Sequence, residues 1–221
     1  MITKKLFITQ NSYYFVHRHF INFFESEDAE VVFVTEDSRG IKKKYFEFIS
    51  YFGIHNFIKS VLFEIIFMLA LRKRKNKLKV YNVKDKNVNK FLKNIIKSNE
   101  YKLIFSIGCP CLISPQLQSK EIPIYNLHGG IIPFQKGRFS PLKAIKKCHK
   151  YLGCSIHLIN HNFDDGLVIS QDYFELKNNY KLSNYQEVLK LSSELLGKFL
   201  LGQYKILPKK IFFEFQEDLI N

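Results

Sequence analysis

The chain has 221 residues, of which 46% are hydrophobic and 15% aromatic, a composition that predicts an ordinary globular protein with one main domain. The net charge is +14 at pH 7, and four cysteines are too few for a disulfide scaffold in a chain of this length. No apolar run in the first ten residues is long enough for a secretory signal, so we expect a reducing, cytoplasmic location.

Much of the positive charge lies in one segment. Residues 72–102 hold twelve Lys or Arg residues and only two acidic residues. Such a patch can attract nucleic acid or an anionic membrane surface. Lys greatly outnumbers Arg in the whole chain, however, whereas phosphate recognition favours Arg. We therefore expect a solvated surface and no specific nucleic-acid partner, and we leave a peripheral membrane contact open.

Short apolar runs rich in β-forming residues alternate with helical patterns. This alternation predicts an α/β fold with a mostly parallel twisted sheet flanked by helices, followed by a short C-terminal extension at residues 176–221. A helix capped by Asp85 and a C-terminal helix opened by a capping box at Ser183 are also expected. Strands are predicted at 5–9, 30–35, 78–83, 102–107, 123–127, 155–159, 167–170 and, less regularly, 211–215, and a helix at 12–24.

Residues 57–71 form the most apolar stretch of the chain. Lys59 and Glu64 interrupt it, and the uncharged run is far shorter than the roughly twenty residues that a bilayer span needs. We interpret it as a helix packed on the sheet. A helix lying on a membrane surface, or buried in a partner, stays an alternative.

The stretch 124–145, IYNLHGGIIPFQKGRFSPLKAI, carries the chemistry. Period-two alternation places Asn126 and His128 on one face at the carboxyl end of a strand, the edge where parallel sheets bind ligands. An Asn amide can donate to a developing oxyanion, and a His can donate, accept or shuttle a proton. Gly129 and Gly130 let the backbone turn close to a ligand. Alternatively, the two polar side chains only tie down the loop.

Two further loops contribute candidate residues. Ser140 and Pro141 are expected at the N-cap and first position of the next helix. Downstream, Phe163-Asp164-Asp165-Gly166 lies in a polar loop between two predicted strands. A carboxylate beside the Asn and His would complete an amide, imidazole and carboxylate set, although carboxylates in turns also serve as Asx-turn formers.

In order and spacing, these pieces resemble the formyltransferase family that uses 10-formyltetrahydrofolate. The pieces are Asn126-x-His128 with Pro133, Gly137-Arg138, Gly153-x-Ser155-x-His157 and Asp164-x-Gly166, and the similarity covers roughly residues 78–175. The resemblance implies a Rossmann-like catalytic domain at residues 1–175 and no metal. It implies catalytic roles for Asn126, His128 and Asp164, donor contacts at Gly108, Cys109, Pro110, Cys111, Leu112, Ile113, Phe163 and Asp165, and acceptor contacts at Gly129, Gly130 and Arg138.

The chain also departs from the family pattern. Gly130 stands where family members usually have Ser, and the acidic site is doubled, with the spacing to Gly166 favouring Asp164 over Asp165. The first strand leads into Gln10-Asn11-Ser12 instead of a glycine-rich phosphate loop, which disfavours glycinamide ribonucleotide as the acceptor. Only 57 residues follow Asp164, and we expect these to be too few for the extra tRNA-binding domain of methionyl-tRNA formyltransferases.

The resemblance therefore predicts a small-molecule N-formyltransferase, with a nucleotide-linked amino sugar for surface polysaccharide as the expected acceptor. Glycinamide-ribonucleotide and methionyl-tRNA formyltransferases, a 10-formyltetrahydrofolate hydrolase and a non-catalytic basic binding module stay as alternatives. A homodimer formed through the C-terminal extension is left open. A zinc site is a weaker alternative, suggested by the spacing of Cys148, His149, Cys154, His157 and His161.

Overall fold

The computed structural model describes residues 4–10, 16–59, 61–62, 65, 79–98, 101–176, 181–208, 211 and 214. The chain divides into two compact units, residues 1–125 and 126–221. Most of the apolar stretch 57–71, most of the basic segment before residue 79, and residues 11–15 lie outside the described residues. Among the described residues, no helix is long and apolar enough to cross a membrane.

The first unit is a parallel α/β layer. Its strands are β1 (Lys4–Gln10), β2 (Ala29–Thr35), β3 (Lys79–Lys84) and β4 (Tyr101–Ile107), in the order β3-β2-β1-β4. Strand β1 pairs in parallel with both β2 and β4, and β2 pairs in parallel with β3. The helices with described bounds are α1 (Val16–Phe24), α2 (Ser38–Phe52) and α3 (Val88–Ser98), and residues 54–59, 61, 62 and 65 are also helical. The predicted alternation of strand and helix is confirmed here.

Aromatic and aliphatic side chains fill the core of this unit. Phe7 of β1 lies with its ring centroid 5.4 Å from that of Phe24 and 5.9 Å from that of Phe105. All three side chains are buried, as the continuous apolar runs of these strands predict for a sheet covered on its faces. A 3-10 turn at Asp85–Asn87 precedes α3, and the Asp85 carboxylate accepts from the backbone N–H of Lys86.

The second unit carries the carboxyl end of β5 (Ile124–His128), then α4 (Ser140–Lys146), β6 (Tyr151–Leu158), β7 (Val168–Glu175) and α5 (Lys181–Leu200). The strand order is β5-β6-β7, and β6 and β7 are antiparallel. One face of α5 is buried against this unit through Val188, Leu189, Leu195, Leu196 and Phe199, the stripe that its helical periodicity predicts.

Three local predictions in this unit are wrong. Helix α4 takes Phe139 as its N-cap, in a left-handed conformation, so Ser140 is already helical and its hydroxyl is free for another use. Helix α5 begins at Lys181, which places Ser183 inside the first turn instead of at the cap. Ile211 and Glu214 are helical, where a strand-like run was expected.

Candidate functional site

Asn126 and His128 lie at the carboxyl end of β5. His128 is buried, and Asn126 is half-buried. Because alternate residues of a strand share a face, both side chains reach Asp164 in the loop between β6 and β7, and Asn126 also reaches His157 of β6. The structure thus brings together the two polar residues that the sequence singled out.

The carboxylate of Asp164 is the centre of this cluster. Its Oδ1 atom accepts from the Asn126 amide nitrogen at 3.3 Å and lies 3.2 Å from His128 Nδ1. Its Oδ2 atom accepts from the backbone N–H of Gly137 at 2.7 Å. Asp164 is buried and has a φ of 52°, a left-handed conformation that Asp tolerates better than most residues. The loop therefore holds this carboxylate in a defined place beside Asn126 and His128.

Gly166 explains why a glycine follows Asp164 at the second position. A Cβ built on Gly166 would stand 1.6 Å from the carbonyl oxygen of Leu158, at the end of β6. Only a glycine permits the loop to return this closely to the strand, where the N–H of Leu158 donates to the carbonyl of Leu167 at 2.9 Å. The Asp-x-Gly spacing is therefore a backbone requirement that fixes where the carboxylate lies.

The neighbouring aspartate points elsewhere. Asp165 is 41% exposed at its side chain and pairs with Lys136 at 2.5 Å, whereas the side chain of Asp164 is 9% exposed. Successive side chains of a turn diverge, so only one of the two carboxylates joins the cluster. Phe163, on the same loop, is exposed.

His157 is a fourth member of the cluster, although it was not among the residues predicted to be catalytic or to contact the donor or acceptor. Its Nε2 atom lies 3.0 Å from the Asn126 amide nitrogen, and its Nδ1 atom lies 2.8 Å from the carbonyl oxygen of Leu158. A carbonyl only accepts, so Nδ1 carries the proton and Nε2 accepts from Asn126. The β6–β7 register shifts between Ile156 and His157, an irregularity of the kind that re-aims a side chain. The available signal was its place in the Gly-x-Ser-x-His pattern.

The other ring nitrogen of His128 is held by its own loop. His128 Nε2 lies 2.6 Å from the carbonyl oxygen of Gln135 and 3.2 Å from the hydroxyl oxygen of Ser140. The Ser140 hydroxyl donates to the carbonyl of Gly129 at 2.6 Å, so it accepts from the ring. Nε2 therefore carries a proton. The hydroxyl that was expected to cap α4 instead orients His128.

Gly130 has no room for a side chain. A Cβ at this position would stand 2.3 Å from the carbonyl oxygen of Gln135 and 2.7 Å from both His128 Nε2 and the hydroxyl of Ser140. The serine that the family usually places here would therefore displace the contacts that hold the imidazole. Steric crowding therefore explains why this chain has Gly130 in place of the usual serine.

A second layer of buried polar side chains fixes the loop 129–137. Ser155 of β6 donates to the carbonyl of Gly130 at 2.7 Å and accepts from the N–H of Ile132 at 3.1 Å. Gln171 of β7 donates to the carbonyl of Ile132 at 2.8 Å and to the Ser155 hydroxyl at 2.9 Å. Satisfied buried networks of this kind rigidify the backbone they bind. Sequence reasoning missed the role of Gln171.

Gln135 closes the same loop from the inside. Its side-chain oxygen accepts from the N–H of Ile131 at 3.1 Å, and its amide donates to the carbonyl of Tyr151 at 2.7 Å. The sequence did not predict this role of Gln135 either, because its partners Ile131 and Tyr151 come close to its side chain only in the folded protein. Arg138, at the end of the loop, is exposed.

The protonation of the cluster follows from its burial. Burial alone raises the pKa of Asp164, but the neighbouring imidazoles of His157 and His128 and the hydrogen bond from the N–H of Gly137 outweigh it and hold the pKa below its ordinary value. Burial lowers the pKa of His128, and the charge of Asp164 and the Gln135 carbonyl oppose this only in part. Near pH 7 the cluster therefore holds a carboxylate and a neutral imidazole.

The loop Gly108–Ile113 belongs to the first unit and follows β4. It starts with a left-handed Gly108 (φ 61°) and ends on the buried side chain of Ile113. The side chain of Asn89 on α3 anchors it, donating to the carbonyl of Leu112 at 3.1 Å and accepting from the N–H of Ser114 at 2.8 Å. Its role in binding the formyl donor stays a prediction.

The residues of the suggested zinc site do not form one group in the described part of the chain. There, no cluster of three or more His, Cys, Asp or Glu side chains is placed to hold a metal ion. His157 instead serves the Asn126 amide, and Cys154 is buried in β6 with its pKa raised by burial to about 12.

The chain is similar in sequence to known formyltransferases. A sequence profile described as formyl transferase matches residues 59–198, more than half of the chain. A methionyl-tRNA formyltransferase from Fervidobacterium nodosum is 31% identical over 80 residues, which are 36% of this chain and 26% of that protein. The chain therefore matches about a quarter of the length of this curated relative.

Solved structures share the fold. A sugar N-formyltransferase from a Shewanella species has a TM-score of 0.55 at 17% identity, covering 92% of this chain and 73% of that one. A phosphoribosylglycinamide formyltransferase from Campylobacter jejuni has a TM-score of 0.59 at 18% identity, covering 90% and 97%. A 4-N formyltransferase from Francisella tularensis has a TM-score of 0.57 at 18% identity, covering 94% and 74%. At such identities the similarity establishes the fold.

Proposed function

The chain belongs to the formyl transferase family, and from that premise we propose that it transfers a formyl group from 10-formyltetrahydrofolate to the amine of a nucleotide-linked amino sugar. The observation that carries the proposal is the cluster of Asn126, His128 and Asp164 at the end of β5. It combines two kinds of N–H donor with one proton acceptor in a buried setting. The catalytic roles below are part of the proposal.

This donor and acceptor set fits the charge changes of formyl transfer. When bound, 10-formyltetrahydrofolate supplies the electrophilic formyl carbon. Attack by an amine moves negative charge onto the formyl oxygen and leaves a surplus proton on nitrogen. Asn126 and His128 present N–H groups for the oxygen, and Asp164 presents an acceptor for the proton. A single oxyanion donor is typically worth about 2.7–4 kcal/mol of barrier.

The N–H groups are engaged with partners inside the protein. The Asn126 amide donates to His157 and Asp164, and the proton on His128 Nε2 points to the carbonyl of Gln135. Substrate binding would therefore redirect at least one of these hydrogen bonds to the formyl oxygen. Catalytic hydrogen bonds commonly reach their working geometry only in the complex.

His128 Nδ1 and Asp164 Oδ1 can share the proton that the amine loses, in a hydrogen bond between the two atoms. With Nε2 protonated and the ring neutral, the Nδ1 lone pair faces a carboxylate oxygen at 3.2 Å. Two acceptors in contact repel each other, and a proton between them converts the contact into a charge-assisted hydrogen bond. His128 and Asp164 would thus act as one base during attack and return the proton to the leaving nitrogen.

The acceptor class is the finer part of the proposal. Similar solved structures include sugar N-formyltransferases and phosphoribosylglycinamide formyltransferases at comparable TM-scores. The run Gln10-Asn11-Ser12 after β1 lacks the glycines of a phosphate-cradling loop, which favours the sugar class. Exposed Arg138 is the candidate group for the acceptor's diphosphate, because a guanidinium binds phosphate oxygens in pairs.

One experiment tests the activity and its acceptor together. The protein is incubated with 10-formyltetrahydrofolate and, separately, with nucleotide-linked amino sugars, glycinamide ribonucleotide, methionyl-tRNA or buffer alone, and formylated products are measured by mass. We expect transfer to an amino sugar. Transfer to glycinamide ribonucleotide or methionyl-tRNA would reverse the choice of acceptor, and release of formate in buffer alone would indicate a hydrolase. No turnover with any acceptor would refute the proposed activity.

Variants test the roles. Asn126→Ala and His128→Ala should each lower turnover by about two orders of magnitude or more with the fold retained, since one oxyanion donor is worth that much. Arg138→Ala should raise the KM for the acceptor and leave the KM for the formyl donor unchanged. Lys146→Ala, which removes another exposed cation of the same region, is the matched control. Near-normal turnover of either alanine variant in the cluster would contradict the mechanism.

A further inference from the structure

Two cysteines lie at the edge of the first unit where ligands bind in parallel sheets. The strand order β3-β2-β1-β4 reverses between β1 and β4, and ligands of such sheets lie beyond the carboxyl ends of the strands at this reversal. The loop that leaves β4 there contains Cys109 and Cys111, separated by Pro110. The proposed transfer chemistry uses neither thiol.

The two thiols are already in contact. Cys109 Sγ lies 3.7 Å from Cys111 Sγ, and both side chains are partly exposed. A disulfide needs about 2.05 Å between the sulfurs and about 4.4–6.8 Å between the Cα atoms. A fully extended chain spans up to about 7 Å over two residues, near the upper limit. The backbone bends at Gly108, Pro110 and Cys111, which shortens that span.

The pair is chemically asymmetric. A hydrogen bond from Cys109 lowers the pKa of Cys111, and the same contact together with burial raises the pKa of Cys109. The thiolate therefore forms at Cys111, with a second thiol beside it. The other two cysteines differ: Cys148 is exposed and Cys154 is buried.

We propose that Cys109 and Cys111 form a redox-active dithiol that small-molecule disulfides of the glutathione type oxidise to an intramolecular disulfide. The Cys111 thiolate attacks one sulfur of the small disulfide, forming a mixed disulfide and releasing one thiolate, which takes up a proton. Cys109 then loses its proton and attacks Cys111 Sγ, which forms the protein disulfide and releases the second small thiol. Two electrons pass from the protein to the small disulfide, and excess small thiol reverses the sequence.

Formation of the disulfide changes the conformation of the Gly108–Ile113 loop. Closing the sulfurs from 3.7 Å to bonding distance requires the two side chains to move, and the accompanying backbone change falls between Gly108 and Leu112, because Asn89 holds the far end of the loop to α3. Glycine at the start of the loop can supply the new backbone angles at little cost. The oxidation state of the pair therefore sets the shape of the loop at the ligand-binding edge. This consequence does not depend on which acceptor the protein uses.

Intact-mass measurement of the full chain tests the proposal. A Cys148→Ser background removes the exposed thiol that would otherwise collect glutathione. Incubated with oxidised glutathione at pH 7.5, this protein should lose about 2 Da and two of its titratable thiols, and dithiothreitol should restore both. Peptide mapping should place the bond between residues 109 and 111.

The two single variants separate attack from resolution. With Cys109→Ser, the mixed disulfide should form at Cys111 and persist, because no second thiol resolves it. With Cys111→Ser, reaction at Cys109 should be at least tenfold slower. Persistence of the glutathione adduct in the background protein, loss of 2 Da in either single variant, or no reaction of the background protein would each overturn the proposal.

Discussion

Replacing Asp164 with asparagine keeps the size of the side chain but leaves one acceptor oxygen where two are in use. If the amide nitrogen takes the Oδ2 position, it meets the N–H of Gly137, and if it takes the Oδ1 position, it meets the amide of Asn126. Either orientation opposes two donors in a buried site, at a cost of about 1–3 kcal/mol, although an amide nitrogen in the Oδ1 position would also donate to the Nδ1 lone pair of His128. That loss should lower the melting temperature by roughly 2–4 °C per kcal/mol and leave the protein folded.

The effect on turnover should be much larger. Asparagine cannot take up a proton, so the variant loses the base formed by His128 and Asp164, a loss of about 10²–10⁴ in rate. Asp165→Asn is the comparison variant, since that carboxylate is 41% exposed and its pairing with Lys136 is a surface ion pair. As a predicted donor contact, Asp165 should affect the KM for 10-formyltetrahydrofolate and not turnover at saturating donor. Surface pairs contribute about 0–1 kcal/mol, so this variant should melt close to the parent protein and retain transfer within a few-fold.

The assay is turnover at saturating 10-formyltetrahydrofolate for both variants, together with a thermal melt of each. A dead Asp165→Asn protein with an active Asp164→Asn protein would refute the assignment of the carboxylate. Activity in both would show that neither aspartate is the base. If Asp164→Asn is both inactive and unfolded, its inactivity says nothing about the base. Asp164→Glu, which keeps the charge, is then the test, and partial recovery of turnover in that variant would support the carboxylate as the base.

Three further predictions use the same cluster. Gly130→Ala should lower the melting temperature by several degrees and slow transfer, because the added Cβ would stand 2.3 Å from a backbone carbonyl oxygen. Gly129→Ala is the control, since its Cβ would make only an ordinary contact at 3.5 Å and should be tolerated. Equal melting temperatures for the two variants would contradict the steric argument. The folded protein holds the pKa of His128 below its ordinary value of 6.5, so the unfolded chain binds the extra proton first as pH falls. The free energy of unfolding, measured by urea denaturation, should therefore decline as pH falls below about 6.5. His128→Gln should flatten this decline. His157→Ala removes the acceptor that orients the Asn126 amide and should lower kcat about tenfold or more, with the KM for the formyl donor little changed. His157→Gln should recover part of the lost kcat. A change in KM alone would argue against a positioning role.

The local hydrophobic pattern of the sequence was sufficient to predict much of the fold. The buried apolar runs predicted the strands around Phe7, Val32 and Phe105, because a strand covered on both faces is apolar at every position. The stripe of apolar residues in α5 similarly identified its buried face. Helix starts were less predictable, as Ser140 and Ser183 show, because a capping residue in the sequence locates a helix end only to within a few residues.

For the candidate site, the sequence by itself determined that Asn126 and His128 share a face, because side chains alternate along any strand. It also marked Asp164, through a spacing to Gly166 that proves to be a backbone requirement at Leu158. Only the tertiary structure decided that His157 accepts from Asn126 and that Ser140 and Gln135 hold the imidazole of His128. These contacts join residues from different strands and loops, whose separations depend on chain folding and leave no periodic trace in the sequence.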